Sequence, residues 1–277
     1  MARQKKKKRK LRYLVTLILI AGISGMFIAR SYYNRIYKPN VNVSTDDKNL
    51  LFIPTGSEFN DVLQILIENE LIDNEASFRW VAEQMNYVSK VLPGRYRLTD
   101  RMSNRELVTL LRSGTQEPLN VTFNNIRTSE QLAAVVSRQI EADSAAITGL
   151  LQNREFLSTL DIPDGDPIVM FIPNTYEFYW NTSAKEFLQR MAKEYHSFWN
   201  SARIERASEI ELSPYEVSTI ASIVDKETNM NDEKARIAGV YMNRYKRGWK
   251  LEADPTLVYA AGDENINRVL NVHKEID

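Results

Sequence analysis

The 277-residue sequence has no cysteine and only two histidines, His196 and His273, which lie far apart in the chain. The first absence excludes disulfides and thiolate-bound metals. The second argues against a histidine-based triad or a zinc centre, so no metal and no other cofactor is expected. Net charge is also absent: 36 Lys and Arg balance 36 Asp and Glu. That balance hides an asymmetry. Residues 1–12 carry eight basic residues and no acid, so from residue 13 onward 28 basic face 36 acidic residues, about −8. An acidic body argues against a nucleic-acid partner. With 43% apolar and 26% charged residues, the composition is that of a folded protein. No internal repeat is visible, and no low-complexity segment beyond the basic tail.

The basic tail precedes "YLVTLILIAGISGMFIA", Tyr13 to Ala29, which holds no charge. Seventeen residues is at the short end of the ~17–25 that cross a bilayer as a helix. The positive-inside rule then predicts a cytoplasmic tail at 1–12, a single transmembrane anchor at 13–29, and the remainder on the extracytoplasmic side. A cleaved signal peptide competes, given Ala21, Gly22, Ser24 and Gly25. The stretch is long for a signal core, however, and no small-x-small site precedes Arg30. A buried soluble helix fits poorly, because the stretch is apolar on every face.

Residues 30–49 are polar with little periodicity and predict a stalk, with Tyr32, Tyr33 and Tyr37 as interfacial anchors. Residues 50–123 predict a small α+β domain. "LLFIP" and "GRYRL" read as strands, Val62 to Leu71 as one helical face, and "SNRELVTLLRSG" as a helix boxed by Ser103 and Glu106 and closed by Gly114. "LNVTF" alternates like a strand. Residues 124–277 form a second region, with capping boxes at Thr128/Gln131 and Ser183/Glu186 and an aromatic extended segment, "FIPNTYEFYW". The fold class expected is α+β: an N-terminal transmembrane helix, a small α+β domain and a mixed α/β domain.

Within that region "SPYEVSTIASIVDKET" has a well-marked helix start, with Ser213 as cap, Pro214 at the first helical position and Glu216 closing the box. Counting ~100° per residue from Val217, the residues Ile220, Ala221 and Val224 lie within ~60° of it as one apolar stripe. Glu227 falls at ~280°, Lys226 at ~180° and Asp225 at ~80°. Asp225 and Glu227 therefore do not face each other and cannot form a two-carboxylate dyad alone. Glu227 extends the buried face, where lost hydration would raise its pKa toward that of a general acid. A glutamate at a frayed helix end, reaching solvent, is the open alternative.

A second helix is expected to be capped by Asn231, with Ile237, Val240 and Tyr241 as its apolar face and Ala238 and Gly239 permitting close approach. Then follow Trp249 and a turn at Asp254-Pro255. Aromatics, amides and acids near a helix-borne glutamate suit a sugar site.

The run "IASIVDKETNMNDEKARIAGVYMNRYKRGWKLEADPTLVY" resembles the core motif of the endolytic murein transglycosylases, the YceG-like family, and "FIPNTYEFYW" resembles its Pro-(Asp/Asn)-Thr-Tyr-Glu-Phe segment. Residues 50–123 resemble its LysM-like domain. The resemblance extends over about residues 10–270. It implies a lytic murein transglycosylase on the bacterial cytoplasmic membrane, with the catalytic, YceG-like domain at 124–277 on the periplasmic side. Such an enzyme cuts between N-acetylmuramic acid and N-acetylglucosamine in nascent glycan strands and leaves 1,6-anhydro ends.

It also implies that Glu227 is the catalytic residue, protonating the glycosidic oxygen and then taking the muramyl 6-hydroxyl proton. Tyr176, Glu177, Asn243, Asp254 and Thr256 carry over as substrate-binding residues. Implied partners are the peptidoglycan strands and the membrane, with peptidoglycan synthases and division proteins as candidates.

Asp225 stands where the family has Glu. The loop "FNNIRTSEQLA" lacks the family's Glu-Gly, and no counterpart of its Asn-Thr-Tyr and Gly-Leu-Pro-Pro-Gly-Pro segment precedes Asp277. The catalytic domain is therefore expected to be incomplete at its C-terminus. A muramidase using Asp254 or Glu252 as second carboxylate, and a non-catalytic wall-binding or division scaffold, are the competing functions.

Overall fold

A computed structural model of the chain describes residues 2–43, 49–124, 126–162 and 165–261, with side chains from Leu14 to Tyr259. The described residues form a mostly helical α+β fold with two small sheets. Two compact units divide it: residues 1–119 with 177–181, and residues 120–176 with 182 onward.

The first unit begins with α1, Ala2–Tyr37. Its segment Leu14–Tyr37 is long and apolar enough to cross a membrane, and none of its most apolar stretch is buried within the protein. A core helix of a soluble protein would bury such side chains; here Leu17, Met26 and Phe27 all stand exposed. The helix continues eight residues past Ala29, so the expected irregular stalk is helical as far as Tyr37. Beyond it, Pro39 bridges to Ser103 and Val41 to Ile72. Val41 and Val43 are buried in the core of the unit, so residues 38–43 are part of that fold rather than a tether. Residues 44–48, the rest of the expected stalk, lie outside the described residues.

Strand β1 (Leu50–Ile53) pairs antiparallel with β2 (Gly94–Arg97), Leu51 opposite Tyr96 and Ile53 opposite Gly94. Helices α2 (Phe59–Glu68), α3 (Glu75–Gln84) and α4 (Asn104–Ser113) bury Leu66, Phe78, Val81, Leu107 and Leu111 against this sheet in one cluster. The predicted Ser103/Glu106 capping box is present, and Gly114 ends α4 in the left-handed conformation, φ 67°, that glycine adopts without steric cost.

A buried amide network ties α1 to this unit. Asn40 Nδ2 donates to Asn104 Oδ1 (2.6 Å), and the Asn74 N–H donates to Asn40 Oδ1 (2.8 Å). Asn104 Nδ2 donates to the Arg35 carbonyl and to Ser77 Oγ, each at 2.9 Å. Both Asn40 and Asn104 are buried, so their side-chain amides depend on protein partners.

Among its described residues the second unit is helical apart from most of β3 (Leu119–Phe123) and the first part of β4 (Asn174–Phe178), whose Thr122 and Thr175 hydroxyls lie 2.8 Å apart. The expected mixed α/β domain is thus too rich in strand. Helix α6 (Ser144–Gln152) packs against α5 (Ser129–Val136), α7 (Arg154–Ser158) and α8 (Ala184–Phe198), and a short 3-10 helix at Pro167–Met170 lies against α8. Phe123, Phe171, Tyr176 and Phe187 stack as the unit's aromatic core.

Then follow α9 (Ser201–Glu209), α10 (Pro214–Glu227), α11 (Asn231–Lys246) and α12 (Asp254–Ala261). Two expectations change here. Met230 rather than Asn231 stands at the N-cap position of α11, without a side-chain cap, and the Thr228 hydroxyl accepts from the Met230 N–H (3.0 Å) and donates to Glu233 (2.7 Å). Asp254-Pro255 opens a helix instead of a turn, since proline suits a first helical turn.

Replacing Asn104 by leucine removes the side-chain donor to the Arg35 carbonyl and leaves the Asn40 amide with the Asn74 carbonyl (3.2 Å) as its remaining acceptor. A loss of about 1–3 kcal/mol is expected in denaturant unfolding of the full chain in detergent. An unchanged midpoint would mean that the network does not hold α1 to the unit.

Candidate active site

Helix α10 presents the glutamate that the motif singles out. Its start is fixed by the expected box: Glu216 Oε2 accepts from Ser213 N (2.7 Å) and Oγ (2.8 Å), and Ser213 Oγ accepts from Glu216 N (3.2 Å). The Tyr245 hydroxyl of α11 donates to the other Glu216 oxygen. That bond, followed by the Ser213 backbone N–H, holds the Glu216 carboxyl below the usual carboxylate range.

The buried face of α10 is Ile220, Ile223 and Val224, with Val217 half-buried. It is rotated from the expected stripe: Ala221 is exposed and Ile223 takes its place. Packing against α11 sets that rotation, through Ile237, Ala238, Tyr241 and Met242. Gly239 has open space around its Cα, so it is not the close-approach residue expected.

Glu227 ends α10 and is exposed, so the dehydration anticipated from the stripe is not a feature of this carboxyl. What the structure supplies instead is a fixed donor. The Tyr241 ring is buried in the α10–α11 core, and its hydroxyl reaches out to donate to Glu227 Oε1 at 2.9 Å. Burial first, then this hydrogen bond and the charges of Glu227 and Asp254, push the Tyr241 phenol up to about 12. It therefore remains a donor throughout the neutral range. The adjacent Asp225 is separately engaged: Lys234 Nζ donates to its Oδ1 at 2.7 Å.

Glu227 lines a cleft of about 1350 Å³ within the second unit. Asp254, Thr256, Asp225 and Lys226 share that lining, as do the aromatic residues Phe171, Phe198, Trp199, Tyr215 and Tyr259. The Tyr259 hydroxyl donates to Asp166 Oδ2 (3.1 Å), linking α12 to the 3-10 helix. Tyr215 packs over Gly165, whose φ is +129°; a Cβ there would come within 2.6 Å of the ring. The cleft exceeds the roughly 300–1,000 Å³ of a small-molecule pocket. No group of acids and histidines able to hold a metal occurs among the described residues.

The structure brings together three of the six residues singled out in the sequence: Glu227, Asp254 and Thr256. The Thr256 hydroxyl donates to the Ala253 carbonyl (2.7 Å) and shapes the start of α12. The other three are elsewhere. Tyr176 is buried, stacks on Phe123 and donates to the Ile172 carbonyl (2.6 Å), so it offers no face to a ligand. Glu177 is on the exposed side of β4 and Asn243 on the exposed side of α11, and neither lines the cleft. Trp249 is also exposed, beneath Arg247, and away from the cleft wall. Tyr241 was legible only as an apolar helix position. Its polar role depends on a contact fourteen residues back along the chain, which periodicity does not report.

Fold and site together define a mostly helical α+β protein with a long apolar N-terminal helix and a broad cleft carrying an exposed, phenol-clamped carboxylate. Residues 51–277 match the YceG-like family, and the chain belongs to that family. It is 27% identical over 241 residues to the endolytic murein transglycosylase of Bacillus subtilis strain 168, covering 81% of this chain and 66% of the relative. It is 25% identical over 269 residues to the endolytic murein transglycosylase of Streptococcus pneumoniae serotype 2, covering 81% of this chain and 48% of the relative. The chain thus spans about half to two-thirds of the length of these relatives. A crystal structure of a yceG-like protein from Listeria monocytogenes shares the fold, with TM-score 0.53, 23% identity, and coverage of 82% of this chain and 80% of that one.

A raised phenol pKa stabilises the fold below the ordinary tyrosine value near 10, and this contribution is lost as pH climbs through about 12. An alkaline difference titration at a phenolate wavelength, native minus Tyr241→Phe, is expected to show the missing phenol ionising near pH 12. Ionisation near 10 would contradict the clamp on Glu227.

Proposed function

We propose that the chain is a membrane-anchored, endo-acting peptidoglycan lytic transglycosylase with Glu227 as its single acid–base residue. The observation that carries this reading is the Glu227 carboxylate, open to the cleft and held by Tyr241, in a chain of the YceG-like family. In the reaction, protonated Glu227 gives its proton to the glycosidic oxygen as the bond from muramyl C1 breaks. The muramyl 6-hydroxyl oxygen then bonds to C1 and returns its proton to the Glu227 carboxylate. No water is consumed and the residue ends as it began. A cleft bordered by Tyr215 and Tyr259 offers ring faces to sugars.

The domain assignment proposed with it is a cytoplasmic tail at 1–12, an anchor across the membrane, a LysM-like unit and an extracytoplasmic catalytic unit. The long exposed apolar helix supports the anchor. Nascent glycan strands are the substrate, and peptidoglycan synthases and division proteins the partners, that this placement suits.

One observation favours a second reading. Asp254 lines the same cleft, and its charge is felt by the Tyr241 phenol that Glu227 also contacts. A muramidase would use such a second carboxylate to activate water. Glu252 is less suited to that role, being bound to Arg244 (2.6 Å) and pointing away to solvent. Cleavage in ¹⁸O-labelled water separates the two. The transglycosylase is expected to release 1,6-anhydromuramyl products without label, with Asp254→Asn retaining that outcome. Reducing-end products carrying one labelled oxygen would establish the hydrolase instead.

A further inference from the structure

We propose that the first unit rests against the phospholipid headgroup layer, through an aromatic–arginine collar where α1 emerges from the membrane. The inference depends on α1 being the anchor. Its last uncharged residue before Arg30 is Ala29. At 1.5 Å per residue, Tyr32 stands only about 4–5 Å further along the axis, and Tyr37 about 12 Å. The headgroup layer adds about 5–7 Å to each side of the hydrocarbon.

The helix does not run free over that distance. Tyr32 packs on Trp80 of α3 with ring centroids 5.3 Å apart, and the Arg35 guanidinium lies 5.7 Å over the same indole. One turn on, Arg105 of α4 donates to the Tyr37 hydroxyl (2.7 Å) and lies over its ring, while Tyr33 packs against Tyr37. The amide network of Asn40 and Asn104 locks this arrangement from behind. With α1 upright or modestly tilted, Trp80 is therefore at the depth of the headgroups and cannot be far from them.

The side chains found there suit that layer. Tryptophan and tyrosine concentrate at membrane–water interfaces, where an apolar ring and a polar edge are both satisfied. Tyr32, Tyr33 and Tyr37 are exposed around the helix although they sit on a folded unit. Arg30, one residue past Ala29, adds positive charge at the height of the lipid phosphates, and Arg35 stands about 9 Å past Ala29, at the outer margin of the layer. The unit is thereby held at a fixed, low height rather than on a flexible arm.

The test uses the full chain in phosphatidylcholine–phosphatidylglycerol vesicles, with Trp180, Trp199 and Trp249 replaced by phenylalanine so that Trp80 reports alone. If that triple variant does not fold, the difference between the native chain and Trp80→Phe gives the same signal. Lipids brominated near the glycerol end are expected to quench Trp80 about twofold more than lipids brominated near the bilayer centre, and aqueous iodide to quench it poorly. Full quenching by iodide with no effect of either lipid, in chain that floats with the vesicles, would overturn the docking while leaving the anchor intact. Quenching strongest from the bilayer centre would overturn it as well. Failure to float would overturn both the anchor and the docking.

Discussion

The arrangement turns on one hydrogen bond, from the Tyr241 hydroxyl to Glu227 Oε1. Glu227 is the last residue of α10, where a helix frays and a side chain ordinarily samples many rotamers. Tyr241 removes that freedom because its own ring is immobilised in the core between α10 and α11. The carboxylate thus remains open to the cleft while its position is set by buried packing.

The surrounding turn serves the same end. Thr228 breaks α10 in an extended conformation, and its hydroxyl bonds both the Met230 N–H and Glu233. Lys234 occupies Asp225, so the nearer carboxylate is neutralised by its own partner. At the other end of α10, Tyr245 engages the capping glutamate Glu216. Two tyrosines of α11, one turn apart, therefore fix α10 through carboxylates at its two ends. This is why α11 belongs to the site although only its tyrosine reaches Glu227.

Local signals in the sequence specified much of the fold. The capping boxes at Ser103, Ser183 and Ser213 are all formed, because each depends only on residues three apart. The strand pair of the first unit and its helices follow hydrophobic period and turn chemistry. The misjudged features depend on tertiary contact. The stalk is polar in composition, yet Val41 and Val43 are buried once the Asn40–Asn104 network draws that segment inward. The stripe on α10 is rotated by packing on α11, which exposes Ala221 and Glu227 together. Tyr176 shows the limit of carrying a motif over residue by residue: its place is fixed by alternation along β4, which turns it into the aromatic core beside Phe123. Asp254 and Thr256 do reach the cleft, because the start of α12 holds them there.

The account stands or falls on Glu227 as the acid–base group. The most direct measurement is glycan cleavage by Glu227→Gln compared with the native chain, with thermal unfolding recorded on both. Glutamine keeps the size of the side chain and an oxygen for Tyr241 but can neither give nor accept the proton. The account predicts an unchanged unfolding midpoint and loss of cleavage by at least about a hundredfold, the scale of a removed general acid–base group. Cleavage at the native rate by a folded Glu227→Gln chain would contradict it.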